Sequence, residues 1–197
     1  MRRLAVPAVL AALVMSCGGR SSNAGATPTG PTTPAPAAAA PSRVIADHAR
    51  GITAWPDSVQ GQSVTIAGGP YNDIRFTWLG PPNAAPLRGA VYILAQEYLG
   101  RVSGLSESTP GFVARSLRLE DREYVFDSAV TLRAGKYWFL NDGDTTVYIS
   151  TYNQDTYADG DFYIASQREF DRPFVKYFMP PDTPDANFRV WGRPTTP

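Results

Sequence analysis

The chain has 197 residues, and its 18 lysines and arginines equal its 18 aspartates and glutamates in number, so its formal net charge is zero. That balance argues against nucleic-acid binding, which wants a concentrated basic surface. One histidine, His48, and one cysteine, Cys17, leave no histidine-rich zinc site and no disulfide within the chain.

Met1 to Ser16 read as an export signal, with Arg2 and Arg3 as the positive end, Leu4 to Met15 as the apolar core, and small Ser16 ahead of Cys17. The apolar run of about a dozen residues contains Pro7 and falls short of the roughly 20 residues that cross a bilayer. Val14-Met15-Ser16-Cys17 resembles the lipobox of bacterial lipoproteins. The resemblance implies cleavage before Cys17 and attachment of lipid to that residue. Several acyl chains, at about 0.8 kcal/mol per buried CH₂, then make release from the membrane negligible. Gly18 follows the cysteine where an aspartate commonly signals inner-membrane retention in Gram-negative lipoproteins, so the resemblance implies a cell-envelope location at the outer membrane.

Residues 17–42 form the expected tether. Gly18 to Ser42 hold one charge and no aromatic or large aliphatic side chain, too little apolar area to offset the entropy of ordering. Four alanines between prolines, Ala37 to Ala40, are too few to nucleate a helix. The spacer would hold a domain clear of the membrane, stiffened locally by proline.

Residues 43–197 contain all four tryptophans and all ten tyrosines, and suit one domain. Removal of the signal leaves 16 basic against 18 acidic side chains. The apolar pattern has period two, the mark of half-buried strands. Ile74, Phe76 and Trp78 alternate with Arg75 and Thr77; Val91 and Ile93 with Tyr92 and Leu94; Tyr137 and Phe139 with Trp138 and Leu140; Val147 and Ile149 with Tyr148 and Ser150. Further strands are expected at 63–67, 113–119, 124–127, 161–165 and 187–191, and brief helices at 44–52 and 97–103. Strong turn signals separate them, among them Gly68-Gly69-Pro70, Thr109-Pro110-Gly111 and Asp142-Gly143-Asp144. The pattern predicts an all-β, antiparallel β-sandwich with jelly-roll connections.

Asp127 to Trp138 is similar to the apolar-x-Leu-x-Ala-Gly-x-Tyr hairpin of bacterial secreted β-sandwich modules. Gln62 to Gly69, Tyr157 to Gly160 and Asn187 to Gly192 resemble other stations of those modules. The resemblance implies a surface module whose roles are adhesive or unassigned.

Candidate chemistry is sparse. His48 has no metal-ligand spacing around it and reads as a surface or edge histidine. No nucleophile elbow, zinc-protease motif, phosphate loop or dinucleotide fingerprint occurs. Paired carboxylates could serve a glycosidase, but Glu97, Glu107, Glu120, Asp121, Glu123, Asp127, Asp159 and Asp161 are marked by no special setting. Asp142, Asp144, Asp159 and Asp161 lie in Asp/Asn/Gly loops that could offer oxygens to Ca²⁺, although the same residues are ordinary hairpin chemistry. Trp138, Tyr152 and Tyr157 are candidate ligand-facing aromatics, since rings bury area at small entropic cost. The expected function is that of a non-catalytic surface lipoprotein that binds a glycan or an envelope protein or serves envelope structure. A carbohydrate-binding module is the alternative, and a carboxylate glycosidase a further one.

Overall fold

The computed structural model describes residues 40–81, 84, 86–143, 145–150, 155–165, 172–178 and 184–195, without the side chains of 55–57. The chain divides into two units, and Ala38–Pro197 contains every described residue. None of the described helical segments is long and apolar enough to cross a membrane.

The described residues form an all-β sandwich of two antiparallel sheets. One sheet has five strands in the order β1 (Arg43–His48), β12 (Phe188–Pro194), β3 (Tyr71–Trp78), β7 (Glu123–Val125) and β6 (Arg118–Glu120). The other has β11 (Val175–Lys176), β10 (Phe162–Ala165), β2 (Thr53–Ile66), β8 (Gly135–Asn141), β4 (Val91–Leu94) and β5 (Phe112–Arg115), with β9 (Thr145–Ile149) paired to β2.

Alternation decides which side chains meet between the sheets. Ile74, Phe76 and Trp78 point inward from β3, Val91 and Ile93 from β4, Phe139 from β8, and Val147 and Ile149 from β9. Phe76 sits at the centre. Its ring stacks on Phe139 of the opposite sheet at 4.7 Å and 15°, meets Trp78 edge-on at 4.7 Å, and lies 6.4 Å from Phe188. The opposite parity of β4 and β8 is apolar too. Tyr92, Leu94 and Leu140 bury themselves against Leu105, Tyr163 and Phe174, so a second core lies on the outer face of the seven-stranded sheet.

Four local expectations are corrected. Residues 44–52 hold strand β1 rather than a helix, because Val44, Ala46, Asp47 and His48 pair onto the edge of β12, with a bulge at Ile45. Residues 97–103 are irregular up to a single 3₁₀ turn at Val102–Gly104. There the Tyr98 ring lies over Gly100, where any Cβ would collide with it at 2.4 Å, and the Tyr98 hydroxyl donates to the Arg101 carbonyl at 2.7 Å. The single strand expected at 113–119 is two strands in different sheets. The chain changes sheets at Ser116, whose amide donates to the Val91 carbonyl and whose Oγ accepts the Val91 N–H. Lastly, Asp127–Trp138 is a crossover from β7 to β8, in opposite sheets, and not a hairpin; buried Leu132 bridges to Tyr71 midway.

The β6–β7 hairpin turns on Asp121 and Arg122, both at positive φ (47° and 68°), as a two-residue primed turn requires. Arginine carries a steric cost there that glycine does not. Arg122→Gly is therefore expected to raise stability by about 1 kcal/mol in denaturant titration; a loss would show that the Arg122 side chain contributes more than its backbone costs.

Phe76→Ala and Phe139→Ala should each lower stability by about 3–5 kcal/mol. The double variant should lose less than the two singles together, by about 0.5–1.5 kcal/mol, because the stack is broken once. Strict additivity would show that the rings do not depend on each other.

Candidate functional site

Cys17, Asp144 and Tyr152 lie outside the described residues. The other residues singled out above are placed as follows. Trp138 is half-buried on the outer face of β8; its Nε1–H donates to the Tyr163 hydroxyl at 3.1 Å, which in turn donates to Glu97 at 2.6 Å. Burial is the main reason the Tyr163 hydroxyl is shifted upward, and its bond to Glu97 adds to the shift. Tyr157 is also half-buried. Its ring meets Phe188 edge-on at 5.2 Å and its hydroxyl accepts the Thr65 N–H at 3.0 Å, so one edge of the ring is tied down.

Asp142 and Asp161 are engaged through their carboxylates, Asp159 through its backbone carbonyl. Asp142 Oδ1 accepts the Ala90 N–H at 2.6 Å, with Arg115 3.8 Å from its other oxygen. Asp161 lies between Lys176 at 2.5 Å and Lys136 at 3.5 Å. The Asp159 carbonyl accepts the Thr65 hydroxyl. Among the described residues no three His, Cys, Asp or Glu side chains converge as a metal site would need.

His48 requires a correction. It does stand on edge strand β1, but its side chain is buried at 4 % exposure beneath Tyr157 and Phe188. The Ala186 carbonyl, 3.0 Å from Nδ1, can only accept, so Nδ1 carries the proton and Nε2 accepts from the Thr156 hydroxyl at 2.7 Å. Alongside is Asp185, fully buried, which sequence reasoning did not single out. One Asp185 oxygen accepts the N–H groups of Tyr157 (2.8 Å) and Thr156 (3.2 Å), and the other accepts from Gln62 at 3.3 Å. Asp185 and Ser150 bond reciprocally through backbone and hydroxyl. Asn187 does the same for both backbone groups of Gly51, where a Cβ would strike Ile149. This polar layer pins loop 155–160 and the end of β1 to the start of β12.

The outer face of the five-stranded sheet is chemically different. Residues directly opposite in register share a face. Following the pairing from strand to strand gives one transverse row: Val44, Trp191, Arg75, Val125 and Arg118. Four strand spacings make that row about 19 Å wide. Trp191, half-buried, is the aromatic of the row, while Phe188, the other aromatic of β12, faces inward. Val44 on one side of it is 45 % exposed, and the Arg189 guanidinium lies 5.8 Å from its ring centre.

Ion pairs frame the row: Arg75 with Glu123 at 3.1 Å, Arg193 with Asp73 at 3.0 Å, Arg189 with Asp47 at 3.4 Å, and Arg118 with Glu120. A depression of about 340 Å³ opens beside Arg75 and Arg118, and another of about 240 Å³ beside Trp191 and Glu123. Here an aromatic surface, hydrogen-bond donors and acceptors are within one solvent-facing patch. The sequence signal was present in Arg189-Val-Trp-Gly-Arg193, where the alternation of Phe188 and Val190 inward puts Trp191 outward.

The buried pair gives a pH test. Burial pushes Asp185 up to about 7, with Asp155 adding to the rise and the N–H bonds opposing it. The fold thus favours protonated Asp185: that stability is complete below pH 3.8 and is lost as pH climbs through about 7. Burial also holds His48 below 6.5, with Arg50 acting in the same direction and the Ala186 bond and Asp47 against it. Its contribution has the opposite sign, present above pH 6.5 and lost as pH falls. His48→Gln should therefore expose a decline in stability from about pH 4 to 7, and Asp185→Asn a decline below about pH 6.5. Denaturant midpoints across that range measure both; identical slopes in wild type and both variants would show that neither group titrates on unfolding.

Comparison with family models, curated proteins and solved structures finds no match to this chain.

Proposed function

We propose that this chain is a lipid-anchored cell-envelope protein whose sandwich works by binding, through the outer face of the five-stranded sheet. The observation that carries this reading is the transverse row that sets Trp191 beside Arg75. A tryptophan on the outer face of a sheet, flanked by arginines and carboxylates, contributes contact area to a ligand at little cost in side-chain entropy. The anchor reading draws on Val14-Met15-Ser16-Cys17 and on the tether that follows. Gly18 supports the outer membrane as the destination. The jelly-roll reading draws support from β1 lying against β12, which joins the first and last described strands.

Binding accounts for the described residues better than glycoside hydrolysis does. Hydrolysis of the usual kind needs two carboxyl groups facing each other across a bond. Asp185 is the one buried carboxylate among the described residues, and its oxygens are occupied by Gln62, Thr156 and Tyr157.

Two variants test the reading. Cys17→Ser should abolish incorporation of labelled palmitate with the fold intact; unchanged labelling would rule out lipid as the anchor. The full-length Cys17→Ser chain should then co-sediment with isolated envelope fragments, and adding Trp191→Ala should weaken that association about tenfold. Equal co-sedimentation with and without Trp191 would reject this face as the binding surface.

A further inference from the structure

We infer that the Trp191 face takes a neutral polysaccharide, with one sugar ring against the indole and neighbouring hydroxyls on the Arg75–Glu123 pair. This rests on the reading of that face as a binding surface and names its ligand class. Three observations carry it.

The first is charge. Each guanidinium framing the row is matched by a carboxylate: Arg75 by Glu123, Arg118 by Glu120, Arg189 by Asp47, and Arg193 by Asp73. One depression adds Asp127, and the other adds Asp121 beside Arg122. A polyanion approaching the patch meets no excess of positive potential to draw it in. A neutral ligand loses nothing by that balance.

The second is hydrogen-bonding capacity. A guanidinium has five N–H donors and a carboxylate about four acceptor sites, so a pair joined by one bond can still serve a ligand. Sugar hydroxyls both donate and accept. Two adjacent hydroxyls can bridge Arg75 and Glu123, whose side chains are 47 % and 25 % exposed, with charge-assisted bonds in both directions. A purely cationic or purely acidic patch would use half of that capacity.

The third is the apolar surface. Trp191 lies directly opposite Arg75 in register, with Val44 on its other side. That is area for the C–H face of a single sugar ring. A protein partner would want a wider apolar centre depleted of charge, and here the Arg189 guanidinium lies 5.8 Å from the indole ring centre and Arg75 is one strand away. Arg75 lines one depression, and Trp191 and Glu123 line the other, so the ion pair joins two shallow openings into one path along the face. A chain polymer can follow such a path.

The test is affinity electrophoresis of the full-length Cys17→Ser chain through gels containing glucomannan, galactomannan or mixed-linkage β-glucan, with alginate and heparin as anionic counterparts. At least one neutral polymer should retard the protein, and roughly 0.5 M salt should leave that retardation in place. Trp191→Ala should reduce the apparent affinity about tenfold, with Trp191→Phe restoring most of it. Glu123→Gln, which keeps the shape and removes the charge, should weaken it less than Trp191→Ala. Retardation confined to alginate or heparin, lost in salt yet dependent on Trp191, would overturn the neutral-ligand inference and leave the binding face standing. If no polymer retards the protein while envelope co-sedimentation still depends on Trp191, the inference again fails alone. Loss of Trp191 dependence in both assays removes the binding face with it. Thermal unfolding of each variant within a few degrees of the parent confirms that the loss is one of contact and not of fold.

Discussion

The stack of Phe76 on Phe139 is the contact on which the sandwich turns. It joins the middle strand of the five-stranded sheet to an interior strand of the other. Trp78, Tyr124 and Phe188 approach Phe76 from three directions, each from a different strand or position of the same sheet. With no disulfide to hold the layers together, their separation is set by ring thickness and by the close packing of aliphatic neighbours. Moving one sheet relative to the other would break that stack together with the aliphatic contacts around it.

Polar groups within the fold do a complementary job. Tyr124 is fully buried at the base of its strand, and its hydroxyl accepts from Asn141 at 2.6 Å while donating to the Arg88 carbonyl. Asn141 also receives the Gly143 N–H, so the turn after β8 is built from the inside. At the other end of the sandwich Gln62, Asp185, Asn187 and His48 tie four chain segments together. Buried polar groups cost free energy unless paired, so these clusters define which loop arrangement is tolerated rather than adding much net stability.

The layer architecture was legible because its strands obey strict alternation. Ile74, Phe76 and Trp78, and again Tyr137 and Phe139, announce their inward face without help from distant residues. The second core was less visible. Tyr92, Leu94 and Leu140 are the opposite parity of their strands, and Leu105 and Phe174 come from remote loops to cover them. Helices were expected at 44–52 and 97–103 because local propensity there is ambiguous; the outcome depended on an open edge of β12 and on Tyr98 folding over Gly100. His48 and Asp185 are 137 positions apart, and nothing local signals that one polar layer holds both. The candidate rings were sought at Trp138 and in the tyrosine-rich stretch around Tyr152 and Tyr157; parity along β12 adds Trp191, which faces outward because Phe188 and Val190 face inward.

The placement of β1 also has a mechanical side. The chain enters the fold at Arg43, and β1 is held on one edge only, by β12. Val44 is the register partner of Trp191, so the point of entry and the proposed ligand surface belong to the same pair of strands. On that reading, tension between an anchor in the membrane and a captured polymer would travel through one strand pair and spare the core. Antiparallel bonds loaded from one end yield in sequence, beginning at Arg43 and Gly192. The far end is where His48 is clipped beneath Tyr157 and bonded to Ala186 and Thr156. Such an edge would give under load by peeling, with the buried imidazole as its stop.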